Sequence, residues 1–118
     1  MSVSPRFLAL LTAEGLEGKR ALDVGCGSGR LTLWLAPRVK HAVGLDRDPA
    51  ALDEGRRRAL AESLSNVEFH EADVERDEYE RWRPDLVTAH LDPAQPTVRL
   101  AELQSVVVSG NEIGRAHV

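Results

Sequence analysis

Leu22-Asp23-Val24-Gly25-Cys26-Gly27-Ser28-Gly29-Arg30 decides how this chain is read. The stretch joins one apolar run (Ala21, Leu22, Val24) to another (Leu31, Leu33, Trp34, Leu35) through an acid and three glycines on alternate positions. That order predicts a buried strand, a tight turn and the start of a helix. Glycine lacks a Cβ, so the turn can adopt positive φ and its backbone can close on a ligand. The spacing also discriminates between ligands. A dinucleotide loop of the form G-x-G-x-x-G would need glycine where Arg30 stands.

Outward from this loop the chain alternates between strand and helix patterns. Ser4-Pro5 opens a short helix running to about Glu14, with Phe7, Leu8, Leu10 and Leu11 on its apolar face and Gly15 as its stop. Strand one covers about Arg20 to Val24, and the helix after the loop runs from about Gly29 to Ala36, where Pro37 disfavours continuation. Strand two covers His41 to Asp46. Asp48-Pro49 then forms an N-cap followed by proline at the first helical position, opening a helix to about Leu64. Leu52, Gly55, Ala59 and Ser63 fall on one side of that helix, with Leu60 and Leu64 beside them, while Arg56, Arg57 and Arg58 fan over a solvated face. Ser65-Asn66 introduces strand three at about Val67 to His70, and Asp85 to Ala89 reads as strand four. The charged stretch from Asp73 to Arg83 holds Tyr79 and Trp82 as anchors of a short helix. Alternating strands and helices predict parallel strands joined by right-handed crossovers.

The loop resembles motif I of the class I S-adenosylmethionine-dependent methyltransferases, and three further segments match that family in order. Val43-Gly44-Leu45-Asp46 is a short strand ending in an acid, Val67 to Val74 is a strand with Asp73 just past its end, and Pro84 to Leu91 is the fourth. The resemblance covers residues 20 to 91. It implies an α/β fold: a Rossmann-like partial parallel sheet of four or five strands with helices on both faces, its ligand at the switch point between strands one and four. It also implies a set of cofactor contacts. Gly25, Cys26, Gly27 and Gly29 form the loop under the methionine and ribose portions, and Asp23 accepts from the ligand's ammonium or an intervening water. Asp46 accepts from both ribose hydroxyls, Asp73 accepts from the adenine amino group with the Val74 amide on the ring edge, and Arg47 covers the adenine. Cys26 fills a variable position and packs, with no base placed to activate it. His41 and His70 are read as structural or exposed. His90, just after strand four, is the candidate to meet the acceptor. Methyl transfer is chiefly an alignment problem, so no catalytic set is legible.

Composition bounds the rest. The chain has 118 residues, enough for one domain, with 42% apolar residues. Its formal net charge of −4 gives no electrostatic reason to expect nucleic acid but does not exclude it, since a basic patch can be local; a small-molecule acceptor is the first expectation. One cysteine excludes an internal disulfide, no metal-ligand spacing is visible, and no apolar run has membrane-spanning length, so the expected setting is cytoplasmic. Asp92-Pro93 faintly resembles the D-P-P-x signature of amino-group methyltransferases acting on nucleic-acid bases, from which Ala94-Gln95 departs. After a short helix at Thr97 to Leu103 and a rudimentary strand at Val106 to Val108, residues 112–118 can be encoded by a common short-read sequencing adapter. The sequence therefore divides into a cofactor-binding part, 1–111, and a non-native tail, 112–118. On that reading the sheet ends on an exposed apolar edge, and the expectation is marginal stability with weak or no turnover and most of the cofactor half retained. A non-catalytic cofactor-binding module and an aminopropyl-transferase-like enzyme of the same fold are the alternatives.

Overall fold

The computed structural model describes residues 5–13, 15–73, 80–90, 105–109 and 114–117. Helix α1 (Pro5–Ala13) precedes β1 (Arg20–Val24), α2 (Arg30–Leu35), β2 (His41–Asp46), α3 (Pro49–Ala61), β3 (Val67–Glu71), β4 (Leu86–His90), β5 (Ser105–Ser109) and β6 (Gly114–His117). Single 3-10 turns stand at Ala36–Arg38 and Glu80–Trp82. The strand order is β3-β2-β1-β4-β5-β6. The first five strands are parallel, and β6 runs antiparallel to β5 with Val107 opposite Arg115. Four of these strands lie where the sequence pattern puts them, within a residue, and β5 extends the expected Val106 to Val108 by one residue at each end. The sixth strand is new: Gly114–His117 falls in the segment to which the sequence reading gave no structure, and it pairs along β5, which is therefore not the edge.

The sheet is apolar on both faces, as parallel strands require. On one face Ala21, Ala42 and Leu86 pack against Leu11 of α1 and Leu31 and Leu35 of α2. On the same face Phe69 of β3 meets Leu52 and Ala59 of α3, together with Cys26 and Leu33. The other face carries Leu22, Val24, Val43, Leu45, Val87 and Ala89, with Trp82 and Ala72 packed on it. Among the described residues, then, the three α-helices lie on one face. The helices expected on the other, around residues 73–83 and 97–103, fall largely or wholly outside the described residues.

Local chemistry explains where α3 begins and ends. Asp48 Oδ1 accepts from the Ala50 amide at 3.0 Å with Pro49 at the first helical position, the cap read from the sequence. The helix stops three residues short of the predicted Leu64. Ser63 turns left-handed at φ 57°, its amide bonds the Leu60 carbonyl at 3.1 Å, and the Leu64 amide bonds the Ala59 carbonyl at 2.9 Å. These are the paired bonds of a Schellman motif, with serine in the place glycine usually holds. Two expectations for the α3 apolar face change with it: Ser63 is exposed, and Leu60 points outward at 79% exposure, while Leu52, Gly55 and Ala59 are buried.

Candidate functional site

The glycine loop sits at the carboxyl ends of β1 and β2, and each turn of it is fixed by backbone. The Gly25 and Cys26 amides both donate to the Leu45 carbonyl, at 2.8 and 2.9 Å, tying the loop to β2 as it leaves β1. The Gly29 amide returns to the Cys26 carbonyl at 3.0 Å, and the Leu33 amide bonds the Gly29 carbonyl as α2 begins. Gly25, Gly27 and Gly29 have φ of 73°, 58° and 87°, the left-handed region that a side chain disfavours. Their surroundings differ. A Cβ on Gly27 would meet nothing within 4 Å, whereas one on Gly29 would lie 2.6 Å from the Phe69 ring. Gly27 therefore borders open space, and Gly29 permits close packing of the loop on β3.

Asp46 joins the loop to β2. Its Oδ2 accepts from the Gly27 amide at 2.8 Å and its Oδ1 from the Asp48 amide at 2.9 Å. An ionised carboxylate offers about four acceptor positions, so one on each oxygen remains for a ligand diol. The Ala72 amide donates to the Asp46 carbonyl at 2.9 Å, which draws the exit of β3, and half-buried Asp73 with it, alongside the end of β2. Arg47 is exposed next to Asp46. His90 ends β4, whose Ala89 pairs with Val24 of β1, so it too stands at the carboxyl edge. Val74 lies outside the described residues, as does the Asp92-Pro93 turn.

Two of the residues named from the sequence are buried. Asp23 is 1% exposed, and both its oxygens are engaged: Oδ1 accepts from Thr88 Oγ1 at 2.9 Å and Oδ2 from Thr32 Oγ1 at 2.8 Å. Burying a charge demands such partners, and these two hydroxyls hold the carboxylate beneath the loop. Cys26 belongs to the loop through its backbone only. Its side chain packs with Leu33, Leu52, Ala59 and Phe69. Burial first, then the negative charges of Asp23 and Asp46, push its thiol far above the ordinary range, so it stays protonated.

Thr32, Thr88 and Phe69 were missed as site-building residues. The two threonines were legible as lone hydroxyls inside apolar runs, Leu31-Thr32-Leu33 and Val87-Thr88-Ala89, and a polar residue there needs a buried partner. The histidines make a different cluster. His41 and His70 flank Glu68 at 2.5 and 3.1 Å, with His70 against the Trp82 ring at 4.7 Å between centroids. Hydrogen bonds from His70 and then His41 hold the Glu68 carboxyl below its ordinary range. The arginine run is held at the surface: Arg56 bonds Asp53 and the Phe69 carbonyl, and Arg57 bonds Glu54. Two cavities, of about 360 and 410 Å³, lie at the amino ends of the strands and along the outer side of β3, away from the loop. Among the described residues no group of three or more His, Cys, Asp or Glu could hold a metal, and no helix is long and apolar enough to cross a membrane.

A left-handed glycine loop between β1 and α2, with an acid ending β2 and bonded to it, is the arrangement on which the resemblance rested. A family model described as "Methyltransferase domain" matches residues 21–110. The chain belongs to this methyltransferase family. Among its relatives is a 23S rRNA (uracil(1939)-C(5))-methyltransferase, RlmD, of Klebsiella pneumoniae, 38% identical over 104 residues, covering 78% of this chain and 24% of that protein. Another is a ubiquinone biosynthesis O-methyltransferase of Acinetobacter baumannii, 43% identical over 63 residues, covering 53% of this chain and 27% of that protein. The chain thus spans about a quarter of the length of these curated relatives. A solved RNA methyltransferase from Salinibacter ruber, in complex with S-adenosyl-L-homocysteine, superposes with a TM-score of 0.69 at 25% identity over 80% of this chain and 62% of that one. The cofactor of the family is S-adenosylmethionine, and the open face at Gly27 and the two spare acceptor positions of Asp46 suit its ribose.

Proposed function

We propose that this chain is the donor half of a methyltransferase that moves a methyl group from S-adenosylmethionine to a base in RNA. The observation that carries the donor side is Asp46, which holds the loop through Gly27 and keeps one acceptor position on each oxygen for the two ribose hydroxyls. Gly25 and Gly27 present backbone to the methionine and ribose portions. Asp73, with the Val74 amide, recognises the adenine edge, and Arg47 covers the ring. Cys26 and Gly29 shape the loop without side-chain contact to the ligand, and Asp23 holds it from below. When bound, the cofactor supplies a methyl group already activated by a positive sulfur. The chain's residues have only to orient it, and His90, which ends β4, is the candidate to position the acceptor or, for a protonated acceptor, to act as base.

The choice of acceptor rests on likeness. The RNA-modifying relative aligns over 104 residues, against 63 for the ubiquinone relative. The small-molecule acceptor expected from the sequence is the second reading, supported by that O-methyltransferase at 43% identity. Incubating the chain with methyl-labelled S-adenosylmethionine, bulk RNA and a mixture of small phenols and amines separates the two. Label in RNA that is sensitive to ribonuclease is the expected result. Label in the small-molecule fraction alone would replace the RNA reading with the second.

A further inference from the structure

Asp23 stands two residues before the loop turns at Gly25, and the hydroxyls that bond its two oxygens come from different parts of the fold. Thr32 lies in α2, nine positions along the chain, so the Asp23–Thr32 bond closes the loop on itself. Thr88 lies in β4, directly across from Asp23 in the parallel pairing, so the Asp23–Thr88 bond ties the loop to the neighbouring strand. On the other side of Asp23 the paired residue is Gly44 of β2, which offers no side chain. All three groups are sealed: Thr32 and Thr88 are 0% exposed and Asp23 is 1% exposed. β4 ends two residues later at His90, on the edge where an acceptor is placed.

We propose that Thr88 is a positioning residue that acts through Asp23 to fix the glycine loop, and with it the bound cofactor, against the strand that faces the acceptor. This inference rests on the cofactor reading above. The physical basis is that a buried carboxylate that loses a donor bears a greater desolvation cost, which is relieved by rotation, by protonation or by admitting water. Each of those outcomes moves the residue from which the loop springs. Replacing both partners by apolar groups removes the cost together with the tether.

The test is calorimetric binding of S-adenosylhomocysteine to the full chain, with melting curves recorded in parallel. Thr88→Val is expected to weaken binding about tenfold, and Thr88→Ser, which keeps the hydroxyl, to stay within about twofold of the parent. In an Asp23→Leu background, Thr88→Val should cause no further loss, because the bond it would break is already gone. A packing role for Thr88 would instead give the same loss in both backgrounds, and that result overturns the proposal, as does unchanged affinity in Thr88→Val. If Thr88→Val fails to fold, Thr88→Cys, a near-isostere with a weak donor, takes its place, and affinity equal to the parent's overturns the proposal. Absence of binding in the parent chain would instead remove the cofactor reading itself.

Discussion

Three glycines leave room for the Phe69 ring. Methyl groups built on Gly29, Gly44 and Gly55 would approach its ring to 2.6, 2.9 and 2.9 Å, so one glycine each from the loop, β2 and α3 makes room for a single aromatic ring. Gly29→Ala combines that clash with a left-handed φ and should cost about 2–4 kcal/mol, read as a lowered urea midpoint at constant slope. Cys26, 8% exposed and held as a thiol, should resist alkylation at neutral pH in the folded chain and react on denaturation. Glu68 gives a pH dependence whose sign is fixed by its depressed folded pKa. Its contribution is present above the ordinary carboxylate value of about 4.3 and is lost as pH falls through the lower folded value. Stability measured against pH should therefore fall less steeply on the acid side in Glu68→Gln than in the parent chain.

At the scale of elements, what was legible had a local cause. The Asp48-Pro49 cap, the strand ends at Val24 and Asp46 and the glycine turn are written in consecutive residues, and the structure places them as read. The end of α3 was not legible, because nothing in a serine announces a left-handed turn. Ser63 adopts it to satisfy the last carbonyls while Leu64 packs back against the core, leaving Leu60 outside. Ser63→Gly should accordingly stabilise the chain by about 1 kcal/mol, measurable as a raised melting temperature. The threonine partners of Asp23 were not named for a related reason. Its neighbours in sequence are apolar, and the hydroxyls that claim it come from 9 and 65 positions away.

At the scale of the whole molecule, the adjacency of strands one and four was implied by the family resemblance, whereas no sixth strand was expected because residues 112–118 were read as a non-native tail. β6 binds β5 by backbone pairing, which leaves little trace in a sequence read for apolar periodicity. Ending the chain at residue 111 would remove that pairing and leave β5 as an edge, so sedimentation should show concentration-dependent association in the shortened chain beyond that of the parent. The acceptor stayed beyond sequence reading because net charge is an average over a surface, whereas recognition is local. The donor site is different: its acid and its loop are bonded to each other and were both named from the sequence. The most direct test of that site is calorimetric titration of the chain with S-adenosylhomocysteine and with NAD, repeated for Asp46→Ala. The account predicts a single site for S-adenosylhomocysteine, no binding of NAD, and at least about tenfold weaker affinity in Asp46→Ala. Preference for NAD, or an Asp46→Ala variant that binds S-adenosylhomocysteine as tightly as the parent, would contradict it.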